Sequence, residues 1–347
     1  MWIATRDGLN RYDGYQIKVF QNNHEDSSTI SSNYISHLAE DKKGNIWIAT
    51  VGGGLNKFDP KTNRFSHYFH DDKNSKSIAS NFIDRIVIDD HDKIWVATQN
   101  DGLDLFDPIL NQALHYRTHK SDAHSISGNS IFTVYKDSYN NIWVGDQENG
   151  LNLFDRQTKT FKRFTHQTNQ PGSISGNKIT YLFEDSNHRL WVGTADTGLD
   201  LYDYKTSSFK HFFNDPKNTN SLVSNNIQSI AEDENKNLWI GTENGGLSVF
   251  NYEKNTFFSY MHDEVDGSSL STNSVDAILK DNFGNMWVGT FGGGINLYKK
   301  FSTSFGYYRH NDEPNSLSND NIVKKNIPFY LLKAGDKYDL KSRIMLK

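Results

Sequence analysis

All seven tryptophans of this 347-residue chain lie in one short apolar motif that recurs along the sequence. The motif reads MWIAT, IWIAT, IWVAT, IWVGD, LWVGT, LWIGT and MWVGT, at Trp2, Trp47, Trp95, Trp143, Trp191, Trp239 and Trp287. The first interval between tryptophans is 45 residues and the other five are 48 residues. A fixed period of this length indicates a tandem array of one supersecondary unit, so chain length does not predict the number of domains here.

Each complete unit contains four short segments with the length, the β-branched or aromatic content and the polar brackets of strands. In one unit they are SNYISHLAED (32–41), NIWIAT (45–50), GLNKFD (54–59) and FSHYFH (65–70). A four-stranded antiparallel unit of about 45 residues, buried on both faces by its neighbours, is a β-propeller blade. We therefore predict an all-β, seven-bladed β-propeller of four-stranded antiparallel blades. Its tryptophan strand forms the core, and the Ala or Gly two residues later permits close packing between blades.

The first unit supplies only three of its four strands, because nothing corresponding to the inner strand precedes MWIAT. The segment SLSNDNIV (316–323) has the missing pattern, so we predict that the ring closes by pairing of this C-terminal strand with the N-terminal blade. We also expect Met1, which stands where five units have Ile or Leu, to be an internal methionine of a longer protein.

The predicted domain organisation is a propeller over 1–323 and a non-repeat tail over 324–347. The tail, KKNIPFYLLKAGDKYDLKSRIMLK from Lys324 onward, has a basic bias and no repeat character. An amphipathic extra, a docking tail and the product of a broken reading frame are all compatible with it, and we favour the last.

The composition argues against several classes of partner. A formal net charge of -5 and a pI near 6.2 do not suit a nucleic-acid surface, which needs clustered Lys and Arg. There is no cysteine, and no apolar run approaches the roughly 20 residues that span a bilayer. The N-terminus carries no signal-peptide pattern. We expect no nucleic-acid partner and no direct membrane contact.

Three segments show a family resemblance: EDKKGNIWIATVGGGLNKFD, EDSNHRLWVGTADTGLDLYD and KDNFGNMWVGTFGGGINLY. They resemble the two-component regulator propeller repeat, which builds extracytoplasmic sensors of hybrid two-component systems in polysaccharide-degrading bacteria. The resemblance covers residues 1 to about 323. It implies a periplasmic, non-catalytic sensor that recognises glycan fragments and regulates genes for their use. It also implies a second propeller and a β-sandwich as partners in the full-length sensor, homodimerisation through those parts, and kinase modules that this sequence does not contain.

Binding residues are expected on the loops after the tryptophan strands, which vary while their surroundings do not. The candidate ligand-binding residues are Arg6, Asp7, Gln99, Asn100, Asp146, Gln147, Glu148, Asp196, Glu243, Asn244 and Phe291. Asp146 stands where the other six units have Thr, so it is either a ligand contact or an acceptor of the same local hydrogen bond. Unselected surface variation is the competing interpretation for any single one of these residues.

No set of residues predicts catalytic chemistry, a metal site or a cofactor. The blade connectors carry recurring histidines, namely His24, His70, His119, His166, His262 and His310, with Asn214 in the fifth. One histidine per blade would lie too far from its neighbours to share an ion, so we expect these residues to cap turns. The acidic pairs before the tryptophan strands, such as Glu40-Asp41, repeat in the manner of turn formers.

Two other classes of function stay open. DKKGNIW (41–47) distantly resembles the Asp-box of sialidase propellers, but it lacks the flanking hydroxyl residues, and the post-tryptophan loops offer only Arg6 where several arginines are needed. A lyase-like propeller with a metal site is the other enzymatic alternative. A plain protein-docking propeller would show an apolar patch on the rim instead of a polar one.

Overall fold

The computed structural model describes residues 1–311, 313 and 315–322, and this part of the chain contains 27 β-strands and no helix. Accordingly, no membrane-spanning helix occurs among the described residues. The strands form seven antiparallel sheets, the blades of one seven-bladed β-propeller, as the sequence predicts. Strands within each blade pair in chain order, and neighbouring blades pack face to face.

The blades are numbered in chain order. Blade 1 comprises β1 (Trp2–Thr5), β2 (Gly8–Tyr12) and β3 (Ile17–Phe20). Blade 2 comprises β4 (Ile35–Glu40), β5 (Ile46–Thr50), β6 (Leu55–Asp59) and β7 (Arg64–Tyr68). Blade 3 comprises β8 (Ile83–Ile88), β9 (Ile94–Thr98), β10 (Leu103–Asp107) and β11 (Gln112–Tyr116). Blade 4 comprises β12 (Ile131–Lys136), β13 (Ile142–Asp146), β14 (Leu151–Asp155) and β15 (Thr160–Phe164).

Blade 5 comprises β16 (Ile179–Glu184), β17 (Leu190–Thr194), β18 (Leu199–Asp203) and β19 (Ser208–Phe212). Blade 6 comprises β20 (Ile227–Glu232), β21 (Leu238–Thr242), β22 (Gly246–Asn251) and β23 (Thr256–Tyr260). Blade 7 comprises β24 (Val275–Lys280), β25 (Met286–Thr290), β26 (Gly294–Tyr298) and β27 (Phe305–Tyr308). The first strand of each four-stranded blade packs against the first strand of the next, so these are the inner strands of the ring.

The tryptophan strand is buried along its whole length in every blade. Trp47 packs with Ala49 against Ile83 and Ile86 of the following blade, and equivalent clusters fill the other junctions between blades. Burial of one Trp per junction removes on the order of 150 to 250 Å² from water. This confirms that the tryptophan row is the core that holds the blades together.

The small residue two positions after each Trp is required by the approach of the next blade. A Cβ atom added to Gly145 would lie 2.6 Å from Cγ2 of Ile179 in blade 5 and 2.6 Å from Cγ2 of Thr133. Carbon atoms do not approach so closely without displacement, since their optimal separation is about 3.5 to 4.0 Å. The sequence-based expectation of close packing at this position is therefore confirmed.

The acidic residue before each tryptophan strand forms the turn that leads into it. Asp41 accepts hydrogen bonds from the backbone N–H groups of Lys43 and Asn45, both at 2.9 Å, which confirms its role as a turn former. Its second carboxylate oxygen also accepts the indole N–H of Trp47 at 3.2 Å. The same indole bond recurs in blades 4 to 7. Each of these turns thus satisfies the polar atom of a buried core side chain.

A polar residue early in the third strand of each blade holds the segment that leads into the inner strand, an arrangement that we call the entry latch. In blade 2, the carboxamide of Asn56 accepts the N–H of Ser31 at 2.9 Å and donates to the Ser31 hydroxyl at 2.7 Å. Asp104, Asn152, Asp200, Ser248 and Asn296 accept the corresponding N–H groups in blades 3 to 7. The entry latch fixes where each inner strand begins.

Blade 1 is completed by the other end of the chain. Asn10 accepts the N–H of Ser318 at 3.0 Å and donates to its hydroxyl at 2.9 Å, so Ser318 occupies the entry latch of blade 1. Ile322 then forms an antiparallel bridge with Thr5 at the inner edge of β1. Its side chain is buried in one cluster with Ile3 and Trp287. The predicted closure of the ring by the C-terminal segment is confirmed; Val323 and the predicted tail, 324–347, lie outside the described residues.

Candidate functional site

One face of the ring carries both the loops that follow the tryptophan strands and the ends of the blade connectors. The N–H of Val51, after β5, bonds to the carbonyl of Tyr34, which precedes β4, at 2.9 Å. Equivalent bonds join Gln99 to Phe82, Gln147 to Ser130, Ala195 to Lys178, Glu243 to Asn226, and Phe291 to Ser274. We call this face the upper rim. The two groups of loops share it, and all eleven candidate residues lie on it.

The guanidinium group of Arg6 lies between two aromatic rings that come from neighbouring blades. Its Cζ is 4.9 Å from the ring centroid of Phe291 in blade 7 and 5.5 Å from that of Tyr34 at the start of blade 2. A cation within about 6 Å of a ring face is attracted by the quadrupole of that ring. Both rings stay accessible to solvent, with Phe291 44% and Tyr34 37% exposed. The structure thus brings Arg6 and Phe291 together.

Asp7, the neighbour of Arg6, contributes mainly to the local structure. Its carboxylate accepts a hydrogen bond from the Asn33 side chain at 3.2 Å. Its N–H bonds to the Thr5 hydroxyl at 3.1 Å, and its carbonyl accepts from Gln21 at 3.0 Å. Because its carboxylate is directed to Asn33, Asp7 forms no ion pair with Arg6 among the described residues.

Gln99 and Asn100 link the loop of blade 3 to the inner strands. The Gln99 amide donates to the buried carboxylate of Asp84 at 3.0 Å. The Asn100 carbonyl oxygen accepts from the hydroxyl of Ser130, in the next blade, at 3.2 Å. Gln99 is half-buried and Asn100 is exposed, so each has polar atoms that a ligand can reach.

Asp146 is completely buried, and its carboxylate holds the backbone of Glu148 and Asn149. Its Oδ1 accepts the N–H groups of Glu148 and Asn149, both at 2.9 Å. In blade 5 the Thr194 hydroxyl likewise accepts the N–H of Thr197, at 3.1 Å. Asp146 is thus an acceptor of the local hydrogen bonds, the second of the two interpretations left open by the sequence. Its Oδ2 has no hydrogen-bond partner among the described residues, and the adjacent Gln147 and Glu148 are exposed.

The remaining candidates form pairs in blades 5 to 7. Asp196 lies 3.4 Å from the ammonium of Lys178. Glu243 accepts hydrogen bonds from Asn226 at 2.9 Å and from Gln228 at 3.2 Å. The Asn244 side chain accepts from the Ser274 hydroxyl at 2.9 Å, and its backbone is held at φ 62°.

The upper rim therefore divides into two sectors. Blades 7, 1, 2 and 3 present the aromatic sector, which consists of Phe291, Arg6, Tyr34 and Phe82. Blades 3 to 6 present the polar sector, which consists of the amide and carboxylate side chains between Gln99 and Glu243. Aromatic faces and amide or carboxylate groups are the side chains that bind the faces and the hydroxyls of sugars. The structure thus separates two kinds of contact around one ring.

The sequence analysis missed the residues that precede the inner strands. The residue type at this position differs between blades, although the inner strand that follows is similar in each blade. These residues are Tyr34, Phe82, Ser130, Lys178, Asn226 and Ser274. Each bonds through its backbone carbonyl to a post-tryptophan loop, so the two sets of variable positions lie side by side. The same variability that marks the post-tryptophan loops also marks these connector positions.

The connector histidines cap turns, with a correction at two positions. The Nδ1 atoms of His70 and His166 bond to the carbonyls of Ile78 and Ile174 at 2.9 and 3.0 Å. His262, His310 and the side chain of Asn214 form the same contact. His24 and His119 do not form this contact, because Asn22 and Thr118 occupy the equivalent positions eight residues before the connector Ile. His119 bonds instead through Nδ1 to the hydroxyl of Ser121 at 3.2 Å, within the same connector. The described residues contain no group of three or more side chains suited to hold a metal ion.

The fold and the upper rim define a protein class: a propeller built from tandem repeats, with one variable, solvent-exposed face. Five segments, residues 29–52, 125–148, 173–196, 221–244 and 269–292, match the family model of the two component regulator propeller. Segments in blades 2, 4, 5, 6 and 7 therefore match the two-component regulator propeller repeat, in agreement with the sequence resemblance.

Known proteins share this architecture. The extracellular domain of BT3049 from B. thetaiotaomicron, assigned to the hybrid two-component systems, is 28% identical with a TM-score of 0.73. The match covers 92% of this chain and 40% of that one. The extracellular domain of BT4673 from the same organism is 20% identical with a TM-score of 0.66 over 92% of this chain and 46% of its own, which shows a common fold.

A short segment is similar to Histidine kinase P4 of Formosa agariphila, with 55% identity over 31 residues. That match spans 9% of this chain and 2% of the relative. The chain thus spans less than half of the length of each of these three proteins.

Proposed function

We propose that this propeller is a non-catalytic, extracytoplasmic sensor module that recognises oligosaccharides and so controls the use of the corresponding glycan. The observation that carries the proposal is the likeness of this chain, with its five matched repeats, to the extracellular domain of BT3049, at 28% identity over 92% of this chain and with a shared fold. The BT3049 structure is of an extracellular domain, which supports a periplasmic location for this chain.

The composition of the upper rim supports a sugar ligand. Amide and carboxylate groups such as Gln99, Asn226 and Glu243 provide donors and acceptors for hydroxyl groups. Phe82 is 50% exposed and offers, with Tyr34 and Phe291, an apolar surface for the face of a sugar ring. A docking propeller is expected to present a contiguous apolar patch instead, whereas here the aromatic rings alternate with Arg6 and are continued by the polar sector.

The partners in this proposal are the other parts of a longer sensor. They are a second propeller and a β-sandwich, through which the sensor would form a homodimer. The limited share of BT3049 that this chain covers is consistent with such additional parts. In this arrangement the propeller supplies recognition, and modules outside residues 1–347 supply the kinase reaction.

A ligand screen on the purified chain tests the proposal. Neutral and acidic plant, algal and host oligosaccharides are titrated by calorimetry and by thermal shift. At least one is expected to bind, and Phe82→Ala is expected to weaken it about fivefold or more, as for an aromatic contact that contributes more than 1 kcal/mol. Phe283→Ala is the matched control, because Phe283 is 69% exposed and lies in the turn before β25, at the opposite end of the strands.

Two other outcomes would change the assignment. Release of shorter products from any glycan in the screen would indicate an enzyme and contradict the non-catalytic role. Failure of every glycan to bind, combined with binding of the purified second propeller of the same sensor, would indicate a docking role.

A further inference from the structure

The strongest unassigned feature of the upper rim is that the Arg6 guanidinium contacts two aromatic rings but has no polar partner among the described residues. Arg6 is solvent-exposed and contacts the rings of Phe291 and Tyr34, but no hydrogen bond or ion pair joins it to another described residue. A guanidinium group carries five N–H donors in a planar fork and has no hydrogen-bond acceptor. The rings therefore hold the cation in place while its donors remain available.

The loops on both sides of Arg6 leave this cation accessible. Residues 52–54 in blade 2 and residues 292–294 in blade 7 are glycines, so no side chain projects from either loop tip. Gly52 and Gly292 have φ values of 84° and 73°, a conformation that favours glycine over residues with a Cβ. The backbone geometry thus preserves the open surface beside the two rings.

Arg6 is also the one basic residue among the seven post-tryptophan loops of the sequence. Lys178, which precedes β16 beside the loop of blade 5, is paired with Asp196 at 3.4 Å. The neighbouring carboxylate of Asp7 accepts a hydrogen bond from Asn33 and forms no ion pair with Arg6 among the described residues. A ligand with a negative charge therefore meets, at Arg6, a cation that forms no ion pair with a described residue.

We propose that Arg6, Tyr34 and Phe291 form a subsite for an acidic sugar residue, whose carboxylate or sulfate binds the guanidinium fork while its ring contacts the adjacent aromatic face. The inference rests on the proposed recognition of oligosaccharides and narrows it to acidic glycans. Arg is suited to this role because its planar fork matches the two oxygens of a carboxylate or a sulfate. The aromatic neighbours suit a substituted sugar better than a free inorganic anion, which would use the charge alone.

The experiment compares each acidic oligosaccharide with its neutral counterpart on the purified chain. The probes are oligogalacturonate and oligoalginate with their carboxyl-reduced forms, and sulfated galactan oligosaccharides with their desulfated forms. At least one acidic probe is expected to bind about tenfold or more tightly than its neutral form. The carboxylate and sulfate series distinguish the two sources of charge.

Variants connect the charge preference to Arg6. Arg6→Gln is expected to abolish the difference between the acidic and the neutral form, and Arg6→Lys, which keeps the charge without the fork, to restore part of it. Arg64→Gln is the control, because Arg64 is an exposed cation at the start of β7, at the end of that strand away from the upper rim. Thermal melting of each variant without ligand shows that the fold is retained.

The outcomes separate this inference from the proposed function. Equal binding of acidic and neutral forms, or an acidic preference that survives Arg6→Gln, would overturn the subsite and leave glycan recognition standing. Binding of neutral glycans alone would have the same meaning. Absence of binding for every probe, acidic or neutral, would overturn both proposals.

Discussion

The carboxamide of Asn10 binds both the backbone N–H and the hydroxyl of Ser318, a residue 308 positions further along the chain. The same pair of contacts joins Asn56 to Ser31 within blade 2, across only 25 positions. The ring is therefore closed at blade 1 by a contact that each of the other blades uses within itself. Because the two arrangements are the same, the contribution of the Asn10–Ser318 contact to the free energy of unfolding can be compared with that of the Asn56–Ser31 contact.

Replacement of Asn10 is expected to destabilise the whole propeller. Asn10→Ala leaves the partly buried N–H of Ser318 without this acceptor, which costs about 1 to 3 kcal/mol of the free energy of unfolding. Urea denaturation followed by tryptophan fluorescence measures this change. Asn56→Ala is the matched control and is expected to cost a similar amount. A loss confined to Asn56→Ala would show that the contact at Ser318 does not contribute to closure.

In blade 4, the small residue two positions after the tryptophan, Gly145, is expected to tolerate no additional side-chain atom. Gly145→Ala places a methyl group 2.6 Å from atoms of Ile179 and Thr133, and such overpacking costs about 1 to 3 kcal/mol. Gly267→Ala is the control, because an added Cβ there meets nothing within 4 Å. The free energies of unfolding from denaturation curves test the difference. Equal stability of the two variants would contradict the packing argument.

Two entry latches are expected to make stability depend on pH. His115 contacts the buried carboxylate of Asp104 at 2.6 Å, and His211 contacts Asp200 in the same way at 2.6 Å. These hydrogen bonds raise the pKa of both histidines above the ordinary value of 6.5. A raised pKa in the folded state gives a stabilisation that is complete below pH 6.5 and is lost as pH rises through the raised value.

The Asp104→Asn variant tests this pH dependence. Asn152 holds the same position in blade 4, so Asn can accept the N–H of Ala79 without pairing with a charged histidine. Denaturation at about pH 5.5 and about pH 8.5 is expected to show a smaller loss of stability with rising pH in this variant than in the parent chain. An unchanged difference between the two pH values would exclude His115 as a source.

Asp146, at the end of β13, is expected to stabilise the fold less than the Thr that the other blades have at this position. Asp146→Thr removes a buried oxygen that has no partner among the described residues. It also supplies a hydroxyl for the carbonyl of Gly150, as Thr194 does for Gly198 at 2.8 Å. A gain of about 1 kcal/mol in the free energy of unfolding is expected. The reverse variant, Thr194→Asp, should lose stability, and a loss in both directions would indicate that the two sites are not equivalent.

The sequence predicted the architecture well because each blade repeats the same physical requirements. The period of Trp47 and its equivalents located the core, and the pattern around Ser318 located the strand that closes the ring. The upper-rim loops could also be predicted, since they vary between matched strands. These inferences need only the order of residues within one unit.

The division of the rim into sectors could not be predicted in the same way. Arg6, Tyr34 and Phe291 belong to three different blades, and their contact depends on how far each side chain reaches across a blade junction. The sequence gives no distance of that kind. The exact contacts of the connector side chains could not be predicted for the same reason. Asn22 and Thr118, not His24 and His119, lie eight residues before Ile30 and Ile126, and His119 contacts Ser121 instead.

The closure at blade 1 has a mechanical consequence. A force that separates residue 1 from residue 322 would be resisted first by the Thr5–Ile322 bridge and the Asn10–Ser318 contact, since peptide backbone crosses the other blade junctions. The contact between Arg6 and Phe291 lies beside this seam and joins blade 1 to blade 7. A ligand that contacts both side chains would therefore hold blades 1 and 7 together and raise the force needed to open the ring.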